Sequence, residues 1–198
     1  MVKRAFDLLV ALLLLLLLWP LLLVAAVCVR LDSPGPAFYR AVRIGRGGVP
    51  FRMWKFRTMV ANADRLGGTS TGLHDARITR VGRWLRAAKL DELPQLFNVV
   101  RGEMSVVGPR PEVEEYTRLY AGEELLILSV RPGITDFASL EFSRLAEVLG
   151  SGDPDLVYAE QVRPIKNRLR LKYVREASFG TDLAILWRTA LKALRGWR

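Results

Sequence analysis

The sequence predicts a helix-rich α+β single domain, with a small β-hairpin, carried on an N-terminal membrane helix. Three observations predict it. Leu8 to Val29 is an apolar run without a charged residue. Phe38 to Phe51 alternates short apolar and basic residues around Gly45, Gly47 and Gly48, the pattern of a β-hairpin. Much of the remainder repeats apolar residues at helical spacing, most clearly from Thr181 to Trp197. The natural division is residues 1–31 for the membrane element and 32–198 for the globular domain.

At ~1.5 Å per residue, the apolar run is long enough to cross a ~30 Å hydrocarbon core. Pro20 lies near its middle, where it removes a backbone donor and crowds the preceding turn. Basic residues flank both ends: Lys3 and Arg4 before, Arg30, Arg40, Arg43 and Arg46 after. The positive-inside preference is met at both ends only if both lie on the cytoplasmic side. The residues alone leave two forms open, a kinked spanning helix and a re-entrant hairpin hinged near Trp19-Pro20. A cleaved signal peptide fits poorly because the run is long for an h-region. Lipid attachment at Cys28 fits poorly too, since Val27 is large for the position before it. Asp7 has Lys3 four residues back and Arg4 three back, so it is expected to be paired.

Asp32-Ser33-Pro34-Gly35-Pro36 is a breaker cluster that ends the membrane element. After the hairpin, Met53 to Met59 reads as a strand leading into a helix through Asn62 and Asp64. Gly67 to Thr71 reads as a flexible polar loop. Ile78 to Ala88 reads as a basic amphipathic helix with Trp84 and Leu85 on its apolar side. Leu93 to Val100 is a short apolar helix and Glu112 to Leu128 a longer one. Arg131-Pro132-Gly133 is a turn, and Ala159 to Glu176 is helical and basic. In the last helix, Leu183, Leu186, Trp187, Ala190, Leu191, Leu194 and Trp197 form an apolar stripe, and Asp182 can cap its start. That stripe suits a helix packed on the core or an interfacial helix on anionic lipid.

Thirty Lys and Arg against twenty Asp and Glu give a formal charge of +10. That excess implies an anionic partner: nucleic acid, lipid headgroups or a phosphorylated substrate. It comes with 51% hydrophobic residues, which favours a membrane surface over a soluble nucleic-acid binder. One cysteine, Cys28, excludes an intramolecular disulfide and a cysteine metal cluster. One histidine, His74, argues against a histidine zinc site.

The chemistry concentrates at Asp91-Glu92. Pro94 is tolerated only in the first turn of a helix, so a helix should begin near Leu90 or Asp91. Both carboxylates then sit at a helix N-terminus, whose partial positive charge keeps them ionised and attracts phosphate. Adjacent helical residues point about 100° apart, so the two suit different jobs. One can be a nucleophile while the other holds a metal or handles a proton. An Asp-Glu pair by itself is more simply a plain helix start. Its surroundings add weight. Pro109-Arg110-Pro111 is a rigid turn presenting a guanidinium suited to phosphate, and Arg86, five residues before Asp91, could reach the same group.

These stretches resemble the bacterial sugar transferases, the monotopic phosphoglycosyl transferases that start glycan assembly on a polyprenyl-phosphate carrier. The resemblance rests on Lys3-Arg4 with Asp7, Ser33-Pro34-Gly35-Pro36, Lys55-Phe56-Arg57-Thr58-Met59, Leu90 to Asn98 (LDELPQLFN), Gly102-Glu103-Met104-Ser105, Val107 to Pro111 (VGPRP) and Val130 to Thr135 (VRPGIT). They stand in the family's order and cover most of the chain, without an added domain.

The resemblance implies a reaction. Asp91 would attack the β-phosphate of a UDP-sugar, release UMP and carry the phosphosugar. Polyprenyl (undecaprenyl) phosphate would then take it. Glu92, with Asp91, would help bind Mg2+; Arg86 and Arg110 would bind phosphate; the Pro109-Arg110-Pro111 turn would recognise the nucleotide. Residues 1–31 would be a re-entrant helix with Pro20 as hinge, holding a catalytic domain on the cytoplasmic face of the bacterial inner membrane. Membrane lipid is then a partner and nucleic acid is not; a homo-oligomer stays open. The chain departs from the family in three places: Ala41 stands where Gln is common, Trp19 precedes the hinge proline, and Asp136 to Arg144 replaces an Ala-Gln-Val-x-Gly-Arg run. That run holds a phosphate-binding arginine, for which Arg144 is a candidate of uncertain register. These departures bear on the choice of sugar. Two rival classes are a non-catalytic membrane scaffold and a membrane-tethered nucleic-acid binder, the latter resting on net charge alone.

Overall fold

A computed structural model describes residues 2–63, 75–149 and 154–196. The expected loop at Gly67 to Thr71, Asp64 and Trp197 lie outside them. The first element, α1, runs from Val2 to Asp32. It stays helical through Pro20, so the expected break is not an interruption of secondary structure. Hydrocarbon offers no water to a freed carbonyl, and a helix that keeps its other bonds is the cheaper response to proline. By length and composition α1 can cross a membrane.

Both ends of α1 grip the same globular domain. Near its start, Asp7 is 2% exposed. It accepts from Ser105 Oγ at 2.9 Å and from Val106 N at 3.1 Å. The pairing expected with Lys3 is present at 3.9 Å. Arg4 turns instead to the carbonyls of Val99 (2.6 Å) and Val100 (3.0 Å). Near its end, Ala25 and Val29 pack with Phe56 and Leu85. The guanidinium of Arg57 donates to the carbonyls of Val29, Ser33 and Pro34. Between these anchors Leu12, Leu13, Leu16, Leu17, Trp19 and Leu23 are exposed.

Strands β1 (Phe38–Ile44) and β2 (Pro50–Phe56) form the expected antiparallel hairpin, in register from Phe38↔Phe56 to Ile44↔Pro50. Asn62 has φ 66°, a left-handed conformation that excludes the helix expected there. Helix α2 (Arg80–Ala87) is capped by Thr79, and Asp32 accepts from Val81 N at 3.0 Å. Leu85 is sealed inside, but Trp84 faces out, correcting the expected apolar side. Helix α3 (Gln95–Arg101) follows a 3-10 turn at Leu90–Glu92. Asn98 is fully buried and fastens α3 to the hairpin: it accepts from Trp54 N (2.9 Å) and donates to Arg52 O (2.9 Å).

Strand β3 (Ser105–Val107) pairs in parallel with β4 (Gly133–Thr135). The helix expected from Glu112 to Leu128 is two short pieces, α4 (Glu114–Thr117) and a 3-10 helix at Gly122–Ser129. Gly122, with φ 54°, opens the second piece. Short helices α5 (Phe137–Glu141), α6 (Leu145–Leu149) and α7 (Pro154–Val157) precede a π-helical turn at Tyr158–Val162 and α8 (Arg163–Glu176). Helix α9 (Phe179–Leu194) is capped by Ser178, not by Asp182. Asp182 is buried and accepts from Lys3 Nζ (2.6 Å) and Tyr173 OH (2.7 Å). Ile185 is its sealed apolar residue, while Leu183, Trp187 and Leu194 stay exposed. The core joins Ala11, Met53, Leu96, Val99, Met104, Tyr173 and Ile185.

Candidate active site

The site is built where four segments meet. Lys89 adopts a left-handed conformation (φ 57°) that ends the α2 segment and turns the chain into the Leu90–Glu92 turn. Pro94 is the N-cap of α3, so the helix begins at Gln95 and not near Leu90 or Asp91 as expected, and both carboxylates sit in the 3-10 turn before it. Strand β2 brings Lys55, and the Pro109-Arg110-Pro111 turn brings Arg110. Lys55 Nζ bonds Glu92 Oε1 at 3.1 Å, and Arg110 Nη2 bonds the same oxygen. Arg110 is itself held: its side chain donates to Ile134 O (3.3 Å) and its backbone N–H to Asp136 (3.1 Å).

The turn depends on a close backbone contact. Gly108 N donates to Thr135 O, and Gly133 N donates to Pro109 O, both at 3.0 Å. A Cβ on Gly133 would lie 2.0 Å from Gly108 N. The VGPRP and VRPGIT stretches are therefore two halves of one structure.

The two carboxylates differ in state. Burial alone would raise the Glu92 pKa, but Arg110 and Lys55 outweigh it and hold the group well below the ordinary range. Asp91 is 7% exposed and, among the described residues, no group donates to its carboxylate. Burial, then the charge of Glu92, push its pKa up against Lys55, Arg86 and Lys89. The equal ionisation expected at a helix N-terminus is therefore corrected: pairing decides the two values, and only Glu92 is paired.

Asp91, Glu92 and Arg110 are brought together as expected. Arg86 also bears on Asp91, and its Nη1 is buried without a partner. Gln95, one helical turn beyond Asp91, is fully buried with neither amide atom partnered. Pro109 and Pro111 line a small cavity with Tyr120 and Ile127. Pro20 stands apart in the exposed stretch of α1. Arg144 also stands apart: it pairs with Glu147 at 3.1 Å on α6. Sequence reasoning attached no role to Lys55 or Lys89. Lys55 was marked only by its place in a matching stretch, and Lys89 by its adjacency to the pair.

Among the described residues, no group of three or more His, Cys, Asp or Glu forms a metal cage. A hard divalent ion needs less than that here, because Mg2+ binds through one or two carboxylates plus substrate phosphates. Both cations on Glu92 use Oε1, and Asp91 has no donor. The carboxylate oxygens left over fit a site completed by a phosphorylated substrate.

The description "bacterial sugar transferase" matches residues 1–196. The chain belongs to this family. Among curated relatives of this sugar transferase, the Escherichia coli K12 UDP-glucose:undecaprenyl-phosphate glucose-1-phosphate transferase is 39% identical, over 97% of this chain and 40% of the relative. The Caulobacter vibrioides protein of the same name is 40% identical, over 94% of this chain and 67% of the relative. An Aeromonas hydrophila UDP-N-acetylgalactosamine-undecaprenyl-phosphate N-acetylgalactosaminephosphotransferase is 35% identical, over 99% and 44%. The sugar transferase chain thus spans about two fifths of the length of the Escherichia coli relative.

Proposed function

We propose that this chain moves a phosphosugar from a UDP-sugar to polyprenyl phosphate, with undecaprenyl phosphate as the natural acceptor. The observation that carries the reading is the unequal pair: Glu92 clamped by Lys55 and Arg110, Asp91 buried beside it without a donor. A carboxylate that spends no lone pair on hydrogen bonds keeps them for phosphorus. Named activities of the relatives, both glucose and N-acetylgalactosamine transferases, support the substrate class.

An Asp91 oxygen attacks the β-phosphorus of the donor. The bond from that phosphorus to the bridging oxygen breaks, and UMP leaves with the oxygen and its electron pair. The product is an acyl phosphate bearing the sugar. A phosphate oxygen of the lipid then attacks the same phosphorus, the Asp91–phosphorus bond breaks, and the carboxylate is restored. Arg110 and Arg86 bind the charge that develops on the transferring group, Arg86 through its unfilled Nη1. Bound at Glu92 and Asp91, Mg2+ would neutralise the diphosphate.

We place the site at the cytoplasmic face of the inner membrane, with residues 1–31 re-entrant and bent near Pro20. Support comes from the grip of one domain on both ends of α1 through Asp7 and Arg57. It also comes from the exposed Leu183, Trp187 and Leu194 of α9, which suit a bilayer surface. Incubation with UDP-glucose or UDP-N-acetylgalactosamine without lipid should leave a phosphosugar adduct on Asp91, read by mass spectrometry with UMP release. An adduct on another residue sinks the assignment. With Cys28 replaced, cysteines at positions 3 and 40 should label from the same side; labelling from opposite sides sinks the hairpin.

A further inference from the structure

Three enclosed guanidinium groups in this fold each reach at least one acceptor. Arg110 meets Glu92, Arg170 meets Glu112, and Arg57 meets a ring of carbonyls. Lys166 differs. It is 7% exposed and, among the described residues, its ammonium makes no hydrogen bond or ion pair. Two aromatic rings flank it, Tyr158 at 5.0 Å and Phe142 at 5.6 Å. Aromatic faces return little to a cation, less than a largely buried charge loses by giving up most of its water. Arg170, one helical turn along α8, adds repulsion. Burial and Arg170 together lower the Lys166 pKa to about 8, against the pull of Glu112.

The surroundings say what is missing. Tyr158, which flanks the ammonium, donates its OH to Glu112. Glu112 directly follows Pro111 of the arginine turn. Phe142, on the other side, ends the α5 segment that begins at Asp136, the acceptor of the Arg110 N–H. Lys166 is thus linked to both segments that bracket Arg110, to one directly through Phe142 and to the other through Tyr158 and Glu112, and Arg110 and Asp136 both bear on its charge. The adjoining π-helical turn at Tyr158–Val162 is a form common at functional sites. Arg144, the residue the sequence offered as a further phosphate ligand, is half exposed and paired with Glu147.

We propose that Lys166 binds an anionic phosphoryl oxygen of a substrate beside Arg110. The anion supplies the missing partner, and an ammonium between two aromatic rings is a point charge held ready for it. The inference rests on the phosphosugar-transfer reading. The phosphoryl group belongs either to the nucleotide donor or to the lipid acceptor, and the experiment separates them.

Wild type, Lys166→Met, Lys166→Gln and Lys166→Arg are assayed for UMP release. UDP-glucose is varied at saturating undecaprenyl phosphate, and then the reverse. Loss of a charge-assisted bond should raise one KM about 10- to 100-fold in the Met and Gln variants. Lys166→Arg should stay within about 3-fold of wild type, since it keeps a charged donor. The KM that moves names the substrate. Both constants unchanged in Met and Gln, with thermal stability raised, overturn the proposal and leave Lys166 a buried burden. If wild type releases no UMP from either nucleotide sugar, the reading of the reaction fails instead. Thermal shift with inorganic diphosphate then decides Lys166: stabilisation in wild type and Lys166→Arg but not Lys166→Met supports it, and equal shifts overturn it.

Discussion

Gly133→Ala tests whether the Arg110 turn is held by the backbone contact between β3 and β4. The new Cβ would stand 2.0 Å from Gly108 N and 2.4 Å from Gly108 O. Ordinary contact begins at 3.4 Å, so one strand must retreat by about 1.4 Å. Backbone cannot rotate away as a side chain can. The two 3.0 Å bonds, Gly133 N to Pro109 O and Gly108 N to Thr135 O, would not survive that retreat. Each is worth about 1 kcal/mol, and a donor left unsatisfied adds about 1–3 kcal/mol. A loss of roughly 3 kcal/mol follows. For a chain of this size it lowers the melting temperature by roughly 6–12 °C.

Activity should fall further than stability explains. Arg110 leaves the turn one residue after Pro109, and a displacement of about 1 Å at a catalytic group costs on the order of 100-fold. UMP release from UDP-glucose is therefore measured well below the melting temperature of the variant. A Gly133→Ala protein with full activity and an unchanged melting temperature refutes the idea that these glycines set the arginine. Gly47, where a Cβ would meet nothing within 4 Å, supplies the control: Gly47→Asn should change neither.

Arg170→Met leaves Glu112 buried without its guanidinium and should destabilise by about 3–5 kcal/mol in thermal unfolding; adding Glu112→Gln should recover much of it, and no recovery would mean that the pair does not interact. Glu92→Gln removes the charge shared by Lys55 and Arg110, so UMP release should drop on the order of 100-fold and the Mg2+ needed for half-maximal activity should rise; an unchanged Mg2+ dependence would separate Glu92 from the metal. Lys166, facing Arg170 and Glu112 with Tyr158, Arg110 and Asp136 nearby, has a folded pKa of about 8 against 10.5 for an ordinary lysine. The unfolded chain therefore binds the extra proton between these values, and stability rises with pH across that window. The burden, about 3 kcal/mol, is fully present below pH 8, so the melting-temperature gap between Lys166→Met and wild type should shrink as pH rises from about 8 to about 10; a constant gap would contradict it.

What could be read from the sequence follows from range. The apolar run and the hairpin depend on neighbours within a few residues, and each stands where expected; α3 starts at Gln95, a few residues after the start expected near Leu90 or Asp91, because a separate 3-10 turn comes first. The unequal pair was foreseen as two roles. Its physical basis was not, because the cations on Glu92 come from 37 and 18 residues away. Tertiary contact likewise overrode local pattern elsewhere. Asp182 has the chemistry of a cap, but Lys3 and Tyr173 draw it inward, and Ser178 caps instead. Trp84 has the composition of a core residue, yet Leu85 takes the buried position beside α1. The Glu112–Arg170 pair spans 58 residues and had no local sign.

The clamp on Glu92 also ties the proposed chemistry to the apolar helix within one small domain. Lys55 lies two residues before Arg57, the side chain that grips the end of α1. Arg110 lies five residues after Ser105, which bonds Asp7 near the start of α1. Each cation on Glu92 is thus carried by a strand segment that also forms a socket for one end of the membrane helix. A shift of either end of α1 would be passed along a few bonds to one side of the carboxylate, with little slack, because close-packed interiors transmit strain. The same arrangement holds Asp91 at a fixed depth relative to the apolar stretch between the sockets. In the proposed reaction Asp91 would meet a soluble nucleotide and a lipid phosphate in turn, which needs that depth held constant, and a helix tied at both ends holds it better than a tether at one.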